Sequence, residues 1–99
     1  MSQYKFDQFQ FNSQGYQLTK NKNKHSLRPK TALLLAYLIE NRHKISSKKE
    51  LFQSVWQTEH VQDHTLFQVI SEIRKLSENE LIRTQPNLGY QWVVPTRQI

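Results

Sequence analysis

Two histidines four residues apart, His60 and His64, stand beside Glu59 and Asp63. On a single helix this spacing would put two imidazoles on one face, as a zinc site requires. The neighbouring residues argue otherwise. Asp63 suits a helix N-terminus, where its charge meets free backbone N–H groups. His60 then lies before the helix, the pair shares no face, and no metal is assigned. No serine, histidine and acid grouping carries a nucleophile-elbow pattern, and two glycines cannot build a phosphate-cradling loop. The absence of cysteine removes thiolate chemistry and disulfides together. The chain therefore reads as a non-enzyme with no cofactor. What remains is recognition. Fourteen Lys and Arg against eight Asp and Glu leave a net charge of +6, which favours a polyanion such as nucleic acid or an anionic membrane face.

The 99 residues suffice for one domain, read as 1–99 with a core over about 4–94. Eleven percent aromatic residues argue against wholesale disorder. Up to residue 28 the pattern alternates: Tyr4 and Phe6, Phe9 and Phe11, Tyr16 and Leu18 fall on one side, with turn chemistry at Asp7-Gln8 and Asn12-Ser13-Gln14-Gly15. The run 20–24 reads as a solvated turn before a last short strand at 25–27. Pro29 suits the first turn of a helix over about 30–42 that carries Leu34, Leu35, Leu38 and Ile39. After an extended piece at 44–46, Ser47 and Glu50 form a capping-box pattern opening a second helix with Leu51, Phe52, Val55 and Trp56. A polar connection, 58–62, leads to a third helix over about 63–77, striped by Leu66, Val69, Ile70, Ile73 and Leu76. Residues 81–84 and 90–94, joined by a turn at 85–89, read as a β-hairpin. The fold expected is α+β: a winged helix-turn-helix with an N-terminal antiparallel sheet, three helices and a C-terminal β-hairpin wing.

This order resembles the OmpR/PhoB-type winged-helix DNA-binding domain over about residues 4–94. The marks are Leu27-Arg28-Pro29-Lys30 entering the first helix, then Ser47, Glu50-Leu51-Phe52 and Val55-Trp56. Asp63, Thr65, Ile70-Ser71 and Ile73-Arg74-Lys75 follow in the third helix, and Ile82, Thr84 and Gly89-Tyr90 in the wing. Pro86, two residues after Thr84, is similar to the ToxR/CadC-like one-component branch. With Met1 as the native start, the domain would stand first in its protein or alone, the layout of that branch.

The resemblance implies sequence-specific binding of double-stranded DNA by a bacterial transcriptional regulator, with the third helix in the major groove and the wing, about 81–94, beside the backbone. Carried over by position, His64, Phe67, Gln68, Ser71 and Glu72 are the base-reading candidates. Gln68 could pair bidentately with adenine and Phe67 touch a thymine methyl, while Glu72 could accept from cytosine or repel phosphate. Arg74 and Lys75 match a phosphate-contacting basic pair, although a helix-end cation also suits the dipole. Trp56 and Tyr90 stand where relatives offer a ring N–H and a phenol to phosphate, or they are core aromatics; Thr84 is a similar backbone contact. The wing tip, Pro86-Asn87-Leu88, lacks the arginine that relatives place in the minor groove, and Arg83 is the nearest cation. The resemblance also implies homodimers on tandem or inverted half-sites, contact of 58–62 with RNA polymerase, and a cytoplasmic domain whose longer parent chain carries a membrane anchor. The alternative reading is a winged-helix protein–protein interaction module with weak or no DNA binding, motivated by Phe67, Glu72 and the apolar wing tip.

Overall fold

The computed structural model describes residues 2–99. Strands β1 (Gln3–Phe6), β2 (Phe9–Asn12), β3 (Gln17–Lys20) and β4 (Asn23–His25) form an antiparallel meander. Alternation puts Tyr4, Phe6, Phe9, Phe11 and Leu18 on one buried face, and the register (Tyr4↔Phe11, Phe6↔Phe9, Phe11↔Leu18) aligns them. The last strand begins earlier than 25–27. Asn21 and Lys22 both take positive φ, 51° and 68°, and make a two-residue turn that returns the chain to pairing at Asn23.

Helix α1 (Pro29–Glu40) starts on Pro29, whose missing N–H costs nothing there. It ends at Glu40 rather than near Arg42 because two side chains take its last carbonyls: Asn41 Nδ2 donates to Tyr37 O at 2.8 Å and Arg42 Nη1 to Ile39 O at 2.9 Å. Helix α2 (Lys48–Leu51) opens on the expected capping box, with Glu50 N donating to Ser47 Oγ and Ser47 N to Glu50 Oε1. The chain then widens into a π-helical segment, Phe52–Trp56, that ends on Gln57 in the left-handed region. Lys30 Nζ donates to Val55 O at 3.0 Å and so covers one of its end carbonyls. Helix α3 (Asp63–Arg74) is shorter than 63–77, since Leu76 N bonds back to Ile73 O and tightens the last turn.

The wing is β5 (Ile82–Gln85) paired with β6 (Gly89–Trp92). A last strand, β7 (Thr96–Gln98), lies outside the expected core of 4–94 and adds to β1 as the fifth strand of the N-terminal sheet. Pro95 and the polar run Thr96-Arg97-Gln98 after it give that segment no alternation to read, so its pairing is purely tertiary. The β6–β7 connection is held by Trp92 Nε1 donating to Thr96 Oγ1 at 2.7 Å, while the Trp92 ring meets Phe6 edge-on at 4.9 Å. One continuous core joins the sheet's inner face to Leu34, Leu35, Leu38 and Ile39 of α1, Leu66, Ile70 and Ile73 of α3, and Ile82 and Trp92 of the wing. Among the described residues no helix is long and apolar enough to cross a membrane.

Candidate nucleic-acid interface

Helix α3 buries Leu66, Val69, Ile70 and Ile73, so the 100° step between residues turns His64, Phe67, Gln68 and Ser71 to solvent. The strip carries an imidazole, an aromatic ring, a carboxamide and a hydroxyl, a mixture of donors, acceptors and apolar surface suited to base edges. Twelve residues make a rod about 18 Å long, narrow enough for a major groove. Glu72 is placed differently. Its carboxylate is half-buried against α1, accepting from Thr31 Oγ1 at 2.6 Å and lying 3.6 Å from Arg28 Nη1. Thr31 itself is buried, so this bond fixes how α3 sits on α1.

Arg74, at the end of α3, reaches the wing. Its Nε and Nη2 donate to Ile82 O at 3.4 and 3.1 Å, and Nη2 donates to Thr84 Oγ1 at 2.9 Å. The Nη1 hydrogens stay outside this fork and remain available to an anion. Thr84 and Lys75 are exposed. Tyr90 is buried, and its backbone exchanges two 2.8 Å bonds with Ser46, which couples the segment before α2 to the wing. Burial pushes the Tyr90 phenol up, against the pull of Arg74 and Lys48. Gly89 makes this coupling sterically feasible: at φ 141° a Cβ would lie 2.0 Å from Ser46 O. Trp56 is half-buried, 6.2 Å from Phe52 and edge-on to it, packed against the core.

Between α3 and the wing lies a cleft of about 470 Å³, lined among others by Lys48, Phe67, Thr84, Leu88, Gly89 and Tyr90. Phe67 is 48% and Leu88 62% exposed on its rim, so two of the larger apolar side chains left in water stand together. Sequence reasoning missed Lys48. It donates to Asp63 Oδ2 at 3.0 Å, joining the start of α2 to the start of α3 on the edge of this cleft. The signal was available only as two opposite charges fifteen residues apart, which no local pattern connects. His60 lies before Gln62, the N-cap of α3, and His64 in its first turn.

A helix presenting polar side chains beside a hairpin tied to its end recurs in known proteins. Residues 22–92 match the family described as "Transcriptional regulatory protein, C terminal". This chain belongs to that family. Its relatives are regulators of transcription, not enzymes. The transcriptional activator CadC of Escherichia coli is 33% identical over 85 residues, covering 80% of this chain and 17% of CadC. The transcriptional regulatory protein CrdR of Helicobacter pylori is 36% identical over 69 residues, covering 70% of this chain and 32% of CrdR. The chain thus spans less than a third of the length of these relatives. Among solved structures, the DNA-binding domain of E. coli CadC superposes with a TM-score of 0.84 at 25% identity, covering all of this chain and 98% of that one. The Klebsiella pneumoniae RstA DNA-binding domain in complex with the RstA box gives 0.77 at 20% identity, with 91% and 95% covered, a likeness of fold. Membership of the OmpR/PhoB type and the winged-helix fold expected from the sequence both hold.

Proposed function

We propose that this chain is the sequence-specific, double-stranded DNA-binding domain of a bacterial transcriptional regulator. Helix α3 enters the major groove and the wing lies beside the backbone. The observation that carries the reading is the exposed strip His64, Phe67, Gln68 and Ser71 of α3, flanked by a wing that Arg74 ties to the same helix. Gln68 and Ser71 supply hydrogen bonds to base edges, and Phe67 supplies apolar contact to a thymine methyl. Arg74, through Nη1, and Lys75 contact phosphate; Thr84 adds a hydroxyl, and the Tyr90 phenol and Trp56 ring are further backbone contacts. Glu72 serves as a positioning residue here, since its carboxylate is already taken by Thr31 and Arg28. In the longer parent chain, the reading extends to homodimers on tandem or inverted half-sites, to RNA polymerase at residues 58–62 and to a membrane anchor outside the domain, with the domain itself in the cytoplasm.

Selection of bound sequences from a random duplex pool tests the core of this. A recurring motif should emerge, and Gln68→Ala should relax one base position by about 1–3 kcal/mol while leaving the others in place. Failure of any motif to emerge, with a folded protein, sinks the major-groove assignment. The exposure of Phe67 and Leu88 favours one second reading, a protein-docking module using the same cleft. That reading expects no binding to random duplex even at low salt.

A further inference from the structure

The N-terminal sheet has a second face. Residues facing away from the core in the five strands are polar, and the register aligns one complete row: Arg97, Lys5, Gln10, Thr19 and Lys24. Four inter-strand steps make this row about 19 Å wide. It holds three cations and no acid. Lys5 and Arg97 sit directly opposite each other on neighbouring strands, a like-charge pairing that costs stability unless something neutralises it. Among the described residues, none of the three cations enters a salt bridge, so their charges are left to solvent or a ligand. The inner face of the sheet and the buried stripe of α3 both pack into the same core, which leaves this row on the side of the sheet turned away from it.

We infer that the outer face of the N-terminal sheet is a second, sequence-independent DNA-binding surface, which lets one molecule hold two duplex segments. This rests on the reading of α3 given above. Cations interleaved with carboxamide and hydroxyl groups are the usual partners of phosphate and sugar. The row offers no aromatic or aliphatic side chain to enter a lipid interface, which favours DNA over an anionic membrane. It offers no apolar centre for a protein partner either.

The test uses an immobilised duplex enriched by selection on the full chain and a fluorescent 30-base-pair duplex of scrambled sequence, at about 50 mM salt, where phosphate contacts are strong. Wild-type protein should retain the fluorescent duplex on the surface. Lys5→Glu with Arg97→Glu should lower that retention at least tenfold while changing affinity for the immobilised duplex less than twofold. The neutral pair Lys5→Gln with Arg97→Gln should give an intermediate loss, which guards against a folding defect. In a second arm, Gln68→Glu with Ser71→Glu disables α3, and the scrambled duplex should still bind until the sheet charges are also reversed. No retention by wild type, or retention indifferent to Lys5 and Arg97, overturns the inference. So does stronger capture of phosphatidylserine vesicles than of the duplex. If the second arm holds and the immobilised duplex is never bound through α3, the sheet surface stands and the reading of α3 fails.

Discussion

At the scale of single residues, Gly89 and Arg74 set the wing where α3 can share its ligand. Alanine at 89 has to hold φ 141° and put a methyl 2.0 Å from a backbone oxygen, and no side-chain rotation relieves that. We expect Gly89→Ala to cost about 2–3 kcal/mol, comparable to backbone strain plus overpacking, and to break the Ser46–Tyr90 bonds. Chemical denaturation with amide exchange at Tyr90 would check this, and unchanged protection would show that the Ser46–Tyr90 pairing absorbs the added methyl without breaking. Arg74 ties the wing to α3 and, on the proposed reading, also contacts phosphate, and substitutions can separate the two. Arg74→Ala should weaken binding to every sequence, flatten the salt dependence by about one unit of slope, and speed amide exchange in β5 and β6. Arg74→Lys should recover the slope but not the exchange protection, because an ammonium cannot reproduce the fork onto Ile82 O and Thr84 Oγ1. Equal behaviour of both variants would refute the division. The candidates on α3 were legible from its apolar stripe, which leaves His64, Phe67, Gln68 and Ser71 outside. Glu72 was not, because its partner Thr31 is 41 residues away and helical spacing alone puts it at the margin of the exposed strip.

At the scale of elements, local chemistry was readable and long-range pairing was not. Ser47 and Glu50 announce the start of α2 because both partners lie within one turn. The π-helical turn after it keeps the apolar spacing of an ordinary helix, so nothing in the residues marked it. Strand β7 depends on β1 at the other end of the chain and was invisible for that reason. The capping box carries a pH dependence. Lys44 beside Glu50 is the main cause that holds its carboxyl below the ordinary 4.5, with the Ser47 N–H adding to it. A lowered carboxyl contributes stability that is present above pH 4.5 and is lost as pH falls through the depressed value. Glu50→Gln should therefore lower stability at neutral pH and flatten the acid limb of the stability curve below pH 4.5. Thermal melts of both proteins from pH 7 to 2 measure this, and parallel curves would contradict it.

For the molecule as a whole, the +6 charge lies mostly away from α3, the proposed recognition helix. Residues 1–30 carry a net +5, while residues 59–80, which contain α3, carry −3. Ion pairs around the site lower its field further, since Asp63 holds Lys48, Glu59 holds Lys49 and Glu72 approaches Arg28. A phosphate that recruits Lys48 has to replace Asp63, and that exchange returns little free energy in exposed surroundings. With Lys48, Arg74 and Lys75 as its main cations, a duplex bound through α3 should therefore show a log–log salt slope of roughly −3, at about −0.9 per neutralised phosphate. Asp63→Asn should release Lys48 while keeping a side chain able to accept at the helix start. Affinity should then rise a few-fold at low salt, with no gain at high salt, where screening removes the difference. Fluorescence anisotropy across a salt series on a short single-site duplex measures both quantities. A slope of −6 or steeper in the wild type would mean that cations outside this set, those of the sheet included, share the duplex with α3, contrary to the two-duplex inference.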